Sequence, residues 1–85
     1  YGKTFRKELK RLRTSGRFPR RELEEVLDAL GTGRRLPPRY RSHQLGGTFV
    51  GCYECHVKPD VLLIYEIADG VIILLRIGTH EQLFG

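Results

Sequence analysis

The sequence predicts an α+β domain in which two N-terminal helices pack on a small antiparallel sheet and a short helical turn closes the chain. Three observations lead there. Apolar residues recur at helical spacing in the first third, three runs rich in β-branched, aromatic and leucine residues follow Thr48 with turn signals between them, and the final residues have the spacing of a helix start. A chain of 85 residues, 40% apolar and 29% charged, has the balance of one globular domain covering residues 1–85 and no room for a second.

The first helix rests on Phe5, Leu9 and Leu12 at i, i+4 and i+7, an apolar stripe among Lys and Arg, and Thr14-Ser15-Gly16 ends it. Pro19 stands at a helix start and is followed by Leu23, Val26, Leu27 and Leu30, with Gly31 in position to cap the C-terminus. Gly31 to Ser42 holds Gly33, Pro37, Pro38 and four arginines, too many breakers for an element, and reads as a basic loop suited to phosphate. Strands are expected at Phe49 to His56, Val61 to Ile67 and Val71 to Ile77, joined by turns at Lys58-Pro59-Asp60 and Asp69-Gly70. The nearly unbroken apolar runs Val61 to Tyr65 and Val71 to Leu75 predict strands buried on both faces. Thr79 and Gln82 have the capping-box spacing, which would set His80 and Phe84 on one face of a last turn.

Charge is unevenly spread. Residues 1–42 hold 13 Lys or Arg against 5 acids, and residues 43–85 hold 2 against 5. A basic half suits a surface that tracks a polyanion, nucleic acid above all. No apolar run approaches the roughly 18 residues of a membrane span, and the basic start lacks a signal-peptide core, so the expectation is a soluble, cytoplasmic protein with no membrane partner.

Hairpin pairing implies where the chemistry lies. A turn at 68–70 puts Val61 opposite Ile77, and a turn at 57–60 puts His56 beside Val61, so His56, Asp60, Arg76 and His80 gather at one end of the sheet. His43, leaving the basic loop, is within reach of the same end. Imidazoles, a carboxylate and a guanidinium are the groups that cleavage of RNA without a metal or other cofactor requires. The 2′-hydroxyl must lose a proton, the leaving 5′-oxygen must gain one, and the phosphorane between them carries added negative charge. Histidine titrates near neutrality and serves either transfer. A metal-dependent nuclease would call for several carboxylates, and only Asp60 is expected at this end.

At these residues the chain resembles the YafQ branch of the RelE toxins from Tyr1 to Gly85. The resemblance rests on Ser42-His43-Gln44-Leu45 with Gly47, His56-Val57-Lys58-Pro59-Asp60, Leu63-Ile64-Tyr65, Arg76-Ile77-Gly78-Thr79-His80 and Leu83-Phe84-Gly85. It implies a RelE-like fold and ribosome-dependent cleavage of mRNA in the A site. General acid and base work is then shared among His43, His56, Asp60 and His80, with Arg76 on the phosphate and Phe84 against the base. It also implies a cognate antitoxin that wraps the toxin. The chain departs from the pattern at Val61, where an aromatic is usual, and at Tyr53, where a basic residue is usual, which predicts altered base stacking, phosphate contacts and codon preference. The family also opens with a β-strand before the first helix, so a strand is expected ahead of Tyr1.

Three rival readings compete. Cys52-Tyr53-Glu54-Cys55-His56 has the spacing of covalent haem attachment, but the chain has no methionine for a second axial ligand, and the motif lies on a strand. Zinc held by Cys52, Cys55 and histidine fails on geometry, because residues three apart on a strand point to opposite faces. The same argument excludes a disulfide between them and leaves two reduced packing residues. A non-catalytic RNA- or ribosome-binding module accounts for the basic half and predicts binding without cleavage.

Overall fold

A computed structural model describes residues 2–85. Helix α1 spans Lys3–Thr14 and α2 spans Arg20–Thr32; strands β1 His43–Gln44, β2 Tyr53–Lys58, β3 Val61–Ala68 and β4 Val71–Gly78 follow, and α3 is His80–Phe84. Short 3₁₀ turns lie at Pro38–Tyr40 and Gly47–Phe49. The strands form one antiparallel sheet in the order β1-β2-β3-β4. This is the expected α+β arrangement, with a fourth, two-residue strand directly after the segment read as loop.

Helix α1 lays Phe5, Leu9 and Leu12 on the sheet, and Ser15 ends it by donating from both N–H and hydroxyl to the Leu12 carbonyl. Helix α2 buries Leu23, Val26 and Ala29. Its cap lies two residues beyond the expected Gly31, because the Thr32 hydroxyl bonds back to Asp28 and Ala29 carbonyls and Gly33 takes the left-handed conformation at φ 75°. The Arg34 N–H then reaches the Ala29 carbonyl, closing the cap.

The sheet divides two cores. Toward α1 and α2, Cys55, Val57, Leu63, Tyr65 and Ile77 pack with Phe5, Val26 and Tyr40. On the opposite side, Cys52, Leu62, Ile64 and Leu83 form a smaller cluster edged by Leu45, Phe49 and Leu75. Residues Val61 to Tyr65 are buried throughout, as expected for a central strand between two layers. The matching expectation for Val71 to Leu75 is corrected: Val71 is exposed and Ile72 to Leu75 are half-buried, because β4 is an edge strand. Phe49 likewise belongs to a 3₁₀ turn and not to a strand, since Gly51 at φ 90° turns the chain before β2 begins at Tyr53.

Pairing differs from expectation by one or two residues. Ile77 faces Leu63 and not Val61, and His56 faces Leu62 and not Val61. The β3-β4 turn has only two central residues, Asp69 and Gly70 at φ 51° and 76°, the conformation that matches strand twist. Beyond it, β4 holds an extra residue: Tyr65 faces Leu74 while Ile64 faces Arg76, so Leu75 is bulged. Val57 is bulged in the same way between His56 and Lys58.

Candidate active site

The alternation of side chains along paired strands decides which residues meet. Cross-strand partners share a face, so His43, Glu54, Ile64 and Arg76 form one row across all four strands, and His56, Leu62 and Gly78 form the next. Both rows lie on the side away from α1 and α2, where Leu62 and Ile64 enter the smaller cluster.

Glu54 is the centre of the first row. Its carboxylate is buried, with Oε1 3.2 Å from His43 Nε2 and 3.6 Å from His56 Nε2, and the two imidazole centroids are 6.4 Å apart. A buried carboxylate without such partners would cost several kcal/mol, roughly, in lost hydration. His43 is held from its other side by the Arg41 carbonyl, 2.8 Å from Nδ1. Both ring nitrogens of His43 thus lie near acceptors, Nδ1 at the Arg41 carbonyl and Nε2 at the Glu54 carboxylate. His56 differs: its Nδ1 is buried with no hydrogen-bond partner among the described residues. The tautomer carrying its proton on Nε2, toward Glu54, leaves Nδ1 with a free lone pair and strands no buried N–H.

Arg76 starts in the histidine row and turns its guanidinium to the outer edge of β4. There Glu8 of α1 accepts from Arg76 Nε at 2.9 and 3.0 Å and from Nη2 at 2.7 Å, and also takes the Ile77 N–H at 3.1 Å. These bonds raise the Arg76 guanidinium further above its ordinary value and fix its orientation. Glu8 also blocks the free edge of the sheet at Ile77.

Helix α3 caps the same face. Thr79 and Gln82 form the expected capping box, with Gln82 N–H donating to Thr79 Oγ1 at 3.1 Å and Thr79 N–H donating to Gln82 Oε1 at 2.9 Å. Leu83 anchors the helix in the smaller cluster. His80 and Phe84 share a face as expected, centroids 5.0 Å apart, and Phe49 meets Phe84 edge-on at 5.8 Å. A side chain at Gly78 would start 2.7 Å from Gln82 Oε1, so the close seating of α3 needs glycine there.

Asp60 stands apart from the two close histidines. At the tip of the β2-β3 turn it accepts from Arg17 Nη2 at 2.8 Å, and it borders a cavity with Arg11, Lys58, Thr79 and Gln82, next to the start of α3. The sequence gathered His56, Asp60, Arg76 and His80 at one end of the sheet with His43 only within reach of it, and missed Glu54, the carboxylate beside both His43 and His56. The signal was present, because Glu54 and His56 are two apart on a strand. Cys52 and Cys55 enter opposite cores, and burial pushes the Cys55 thiol up to about 12. Among the described residues no three His, Cys, Asp or Glu side chains are grouped to hold a metal ion.

The sequence profile described as "Bacterial toxin of type II toxin-antitoxin system, YafQ" matches residues 1–85. The chain belongs to the YafQ family. It is 44% identical over 50 residues to the mRNA interferase toxin YafQ of Escherichia coli strain K12, a match covering 59% of this chain and 54% of that protein. The chain thus spans about half the length of the curated YafQ relatives it matches. Over whole structures the likeness is broader. YafQ from E. coli strain BL21(DE3) superposes with a TM-score of 0.93 at 30% identity, covering 100% of this chain and 94% of that one. An E. coli DinJ-YafQ complex gives 0.89 at 31% identity, covering 100% and 94%. A copper-bound mutant toxin from Helicobacter pylori gives 0.91 at 40% identity, covering 98% and 93%.

Proposed function

We propose that the protein is a toxin that cleaves mRNA in the ribosomal A site by metal-independent acid-base catalysis and is neutralised by a cognate antitoxin. The observation that carries this reading is the cluster His43-Glu54-His56 on one face of the sheet, with Arg76 in the row of His43 and Glu54 and with His80 and Phe84 on the helix that packs on that face.

Three histidines share the two proton transfers, and one of them accepts the proton of the 2′-hydroxyl. The 2′-oxygen attacks the adjacent phosphorus, the bond from phosphorus to the 5′-oxygen breaks, and a 2′,3′-cyclic phosphate and a 5′-hydroxyl result. Another of the three, His43, His56 or His80, supplies the proton to the leaving oxygen. Arg76 stabilises the phosphorane, and Phe84 stacks on a splayed base. Asp60, beside the start of α3, completes the proton-transfer set through the charge it presents next to Thr79. Glu54 positions both close imidazoles. The DinJ-YafQ complex of the E. coli relative supports an antitoxin partner here. Among the described residues no helix is long and apolar enough to cross a membrane, in keeping with cytoplasmic action.

The test is primer extension on mRNA from programmed ribosomes treated with purified protein in EDTA, with His80→Ala and ribosome-free RNA as controls. Cuts within the A-site codon, absent from both controls, are expected. Intact mRNA in the presence of folded, ribosome-bound protein would replace this reading with a non-catalytic binding module, and cuts that appear only without EDTA would remove metal independence.

A further inference from the structure

On the helix side of β1, behind the histidine row, lies a concavity of about 560 Å³ at the end of α2. Its wall carries Arg34, Arg35 and Arg41, the half-buried Tyr53 and the hydroxyls of Ser42 and Tyr65, which bond each other at 3.0 Å. Arg34 is tied to Asp28, whereas Arg35 and Arg41 are exposed and have no ion-pair partner among the described residues. No carboxylate lines this concavity, in contrast to the cavity around Arg11, Arg17 and Lys58, which contains Asp60. Tyr53 stacks here on the buried Tyr65 with centroids 5.6 Å apart, so that Tyr53 gives the wall its aromatic surface.

Arg41 joins this concavity to the catalytic row. It is a non-glycine residue in the left-handed region, at φ 51°, a conformation costing roughly 1–2 kcal/mol. Retained strain of this kind marks a position that is over-determined by its surroundings. The strained backbone aims the Arg41 carbonyl at His43 Nδ1 while its side chain lines the concavity. Arg41 and Ser42 line the concavity, and His43 follows them directly in the chain as the first residue of β1.

We infer that this concavity is a second binding site for single-stranded RNA, holding phosphates of the substrate strand beyond the scissile bond after the strand crosses the β1 edge. It rests on the ribonuclease reading for the identity of the strand. Two unpaired guanidiniums suit two phosphates, the tyrosine wall suits a base or ribose, and occupancy there bears on His43 through Arg41.

The probe is a fluorescent, fully 2′-O-methylated single-stranded oligoribonucleotide, which lacks the attacking hydroxyl and cannot be cut. Its anisotropy is titrated against salt for wild type, for Arg35→Gln/Arg41→Asn, and for Arg6→Gln/Arg21→Gln, which removes equal charge from the helices. Asn tolerates the left-handed backbone at position 41, and circular dichroism checks that each variant is folded. The concavity variant should bind about tenfold more weakly at low salt, with a slope of log K against log salt shallower by about 1.4, two phosphates at roughly 0.7 each. An unchanged slope in that folded variant, or an equal change in the helix variant, overturns the site. Because the probe reports binding alone, loss of cleavage on ribosomes with arginine-dependent binding intact would remove the nuclease reading and leave this one.

Discussion

The two faces of the sheet are made from the same strands, residue by residue in alternation, yet only one of them is closed. Under α1 and α2, Val26, Cys55, Leu63 and Ile77 have no exposed surface, and the apolar contact is continuous from Phe5 to Tyr40. Under α3 the apolar cluster is smaller, and beside it lie a buried carboxylate, two imidazoles and a guanidinium that reaches the sheet edge. The first face provides the stability of the fold. The second is left short of cover by a helix of five residues, which keeps its polar row open to a long polymer.

Substitutions on the two faces should therefore separate activity from stability. His56→Gln, which keeps an N–H donor toward the buried Glu54 carboxylate, is expected to lower cleavage by about 10²–10⁴-fold while the melting temperature stays close to wild type. Leu63→Ala, at a position with no exposure, should cost about 2–5 kcal/mol in urea unfolding and spare the cleavage rate of the molecules that remain folded. A His56 variant that unfolds, or a Leu63 variant that is folded and inactive, would break the division. Arg76 belongs to both sides of it. Arg76→Ala leaves the Glu8 carboxylate with only the Ile77 N–H and should cost about 1–3 kcal/mol besides activity. Adding Glu8→Leu should recover stability without cleavage, and recovery of both would remove Arg76 from the reaction.

Titration effects are smaller. Burial pushes the Cys55 thiol from 9.0 up to about 12, so the native state holds this proton to higher pH than the unfolded chain does. Its contribution is complete below the ordinary value and declines as pH rises toward about 12. Stability between those limits should fall less steeply with pH in Cys55→Val, and Cys55 should resist thiol reagents until the protein unfolds. The smallest effect is at Glu25, held below its ordinary 4.5 by hydrogen bonds from Tyr40 and then Arg39. That contribution is present above 4.5 and is lost as pH falls through the lowered value, so Glu25→Gln should flatten the acid limb of the stability profile slightly.

What could be read in the sequence was whatever local chemistry decides. Helical spacing placed α1 and α2, Asp69-Gly70 placed the hairpin, and Thr79 with Gln82 placed α3. Features settled by neighbours were hidden. A two-residue strand such as β1 has no period to detect, and it exists because Leu45 N–H finds the Cys52 carbonyl and His43 pairs with Glu54. The end of α2 moved from Gly31 to Gly33 through the Thr32 and Arg34 bonds. Burial of Glu54 depends on two histidines from different strands. The bulges at Val57 and Leu75 leave the apolar pattern locally intact, so the register shifted without a sequence signal.

The Leu75 bulge also sets a rule about length. Leu74 packs toward the helix-side core and Leu75 toward the smaller cluster, so the extra residue sets Leu75 and Arg76 in succession on the α3 side and bends the edge strand there. Deleting Leu75 would restore plain alternation, with Arg76 still opposite Ile64 and Ile77 still opposite Leu63. β4 can therefore absorb a change of one in its count at this position and keep every other side chain on its own face, whereas the same deletion one residue later would remove Arg76 itself.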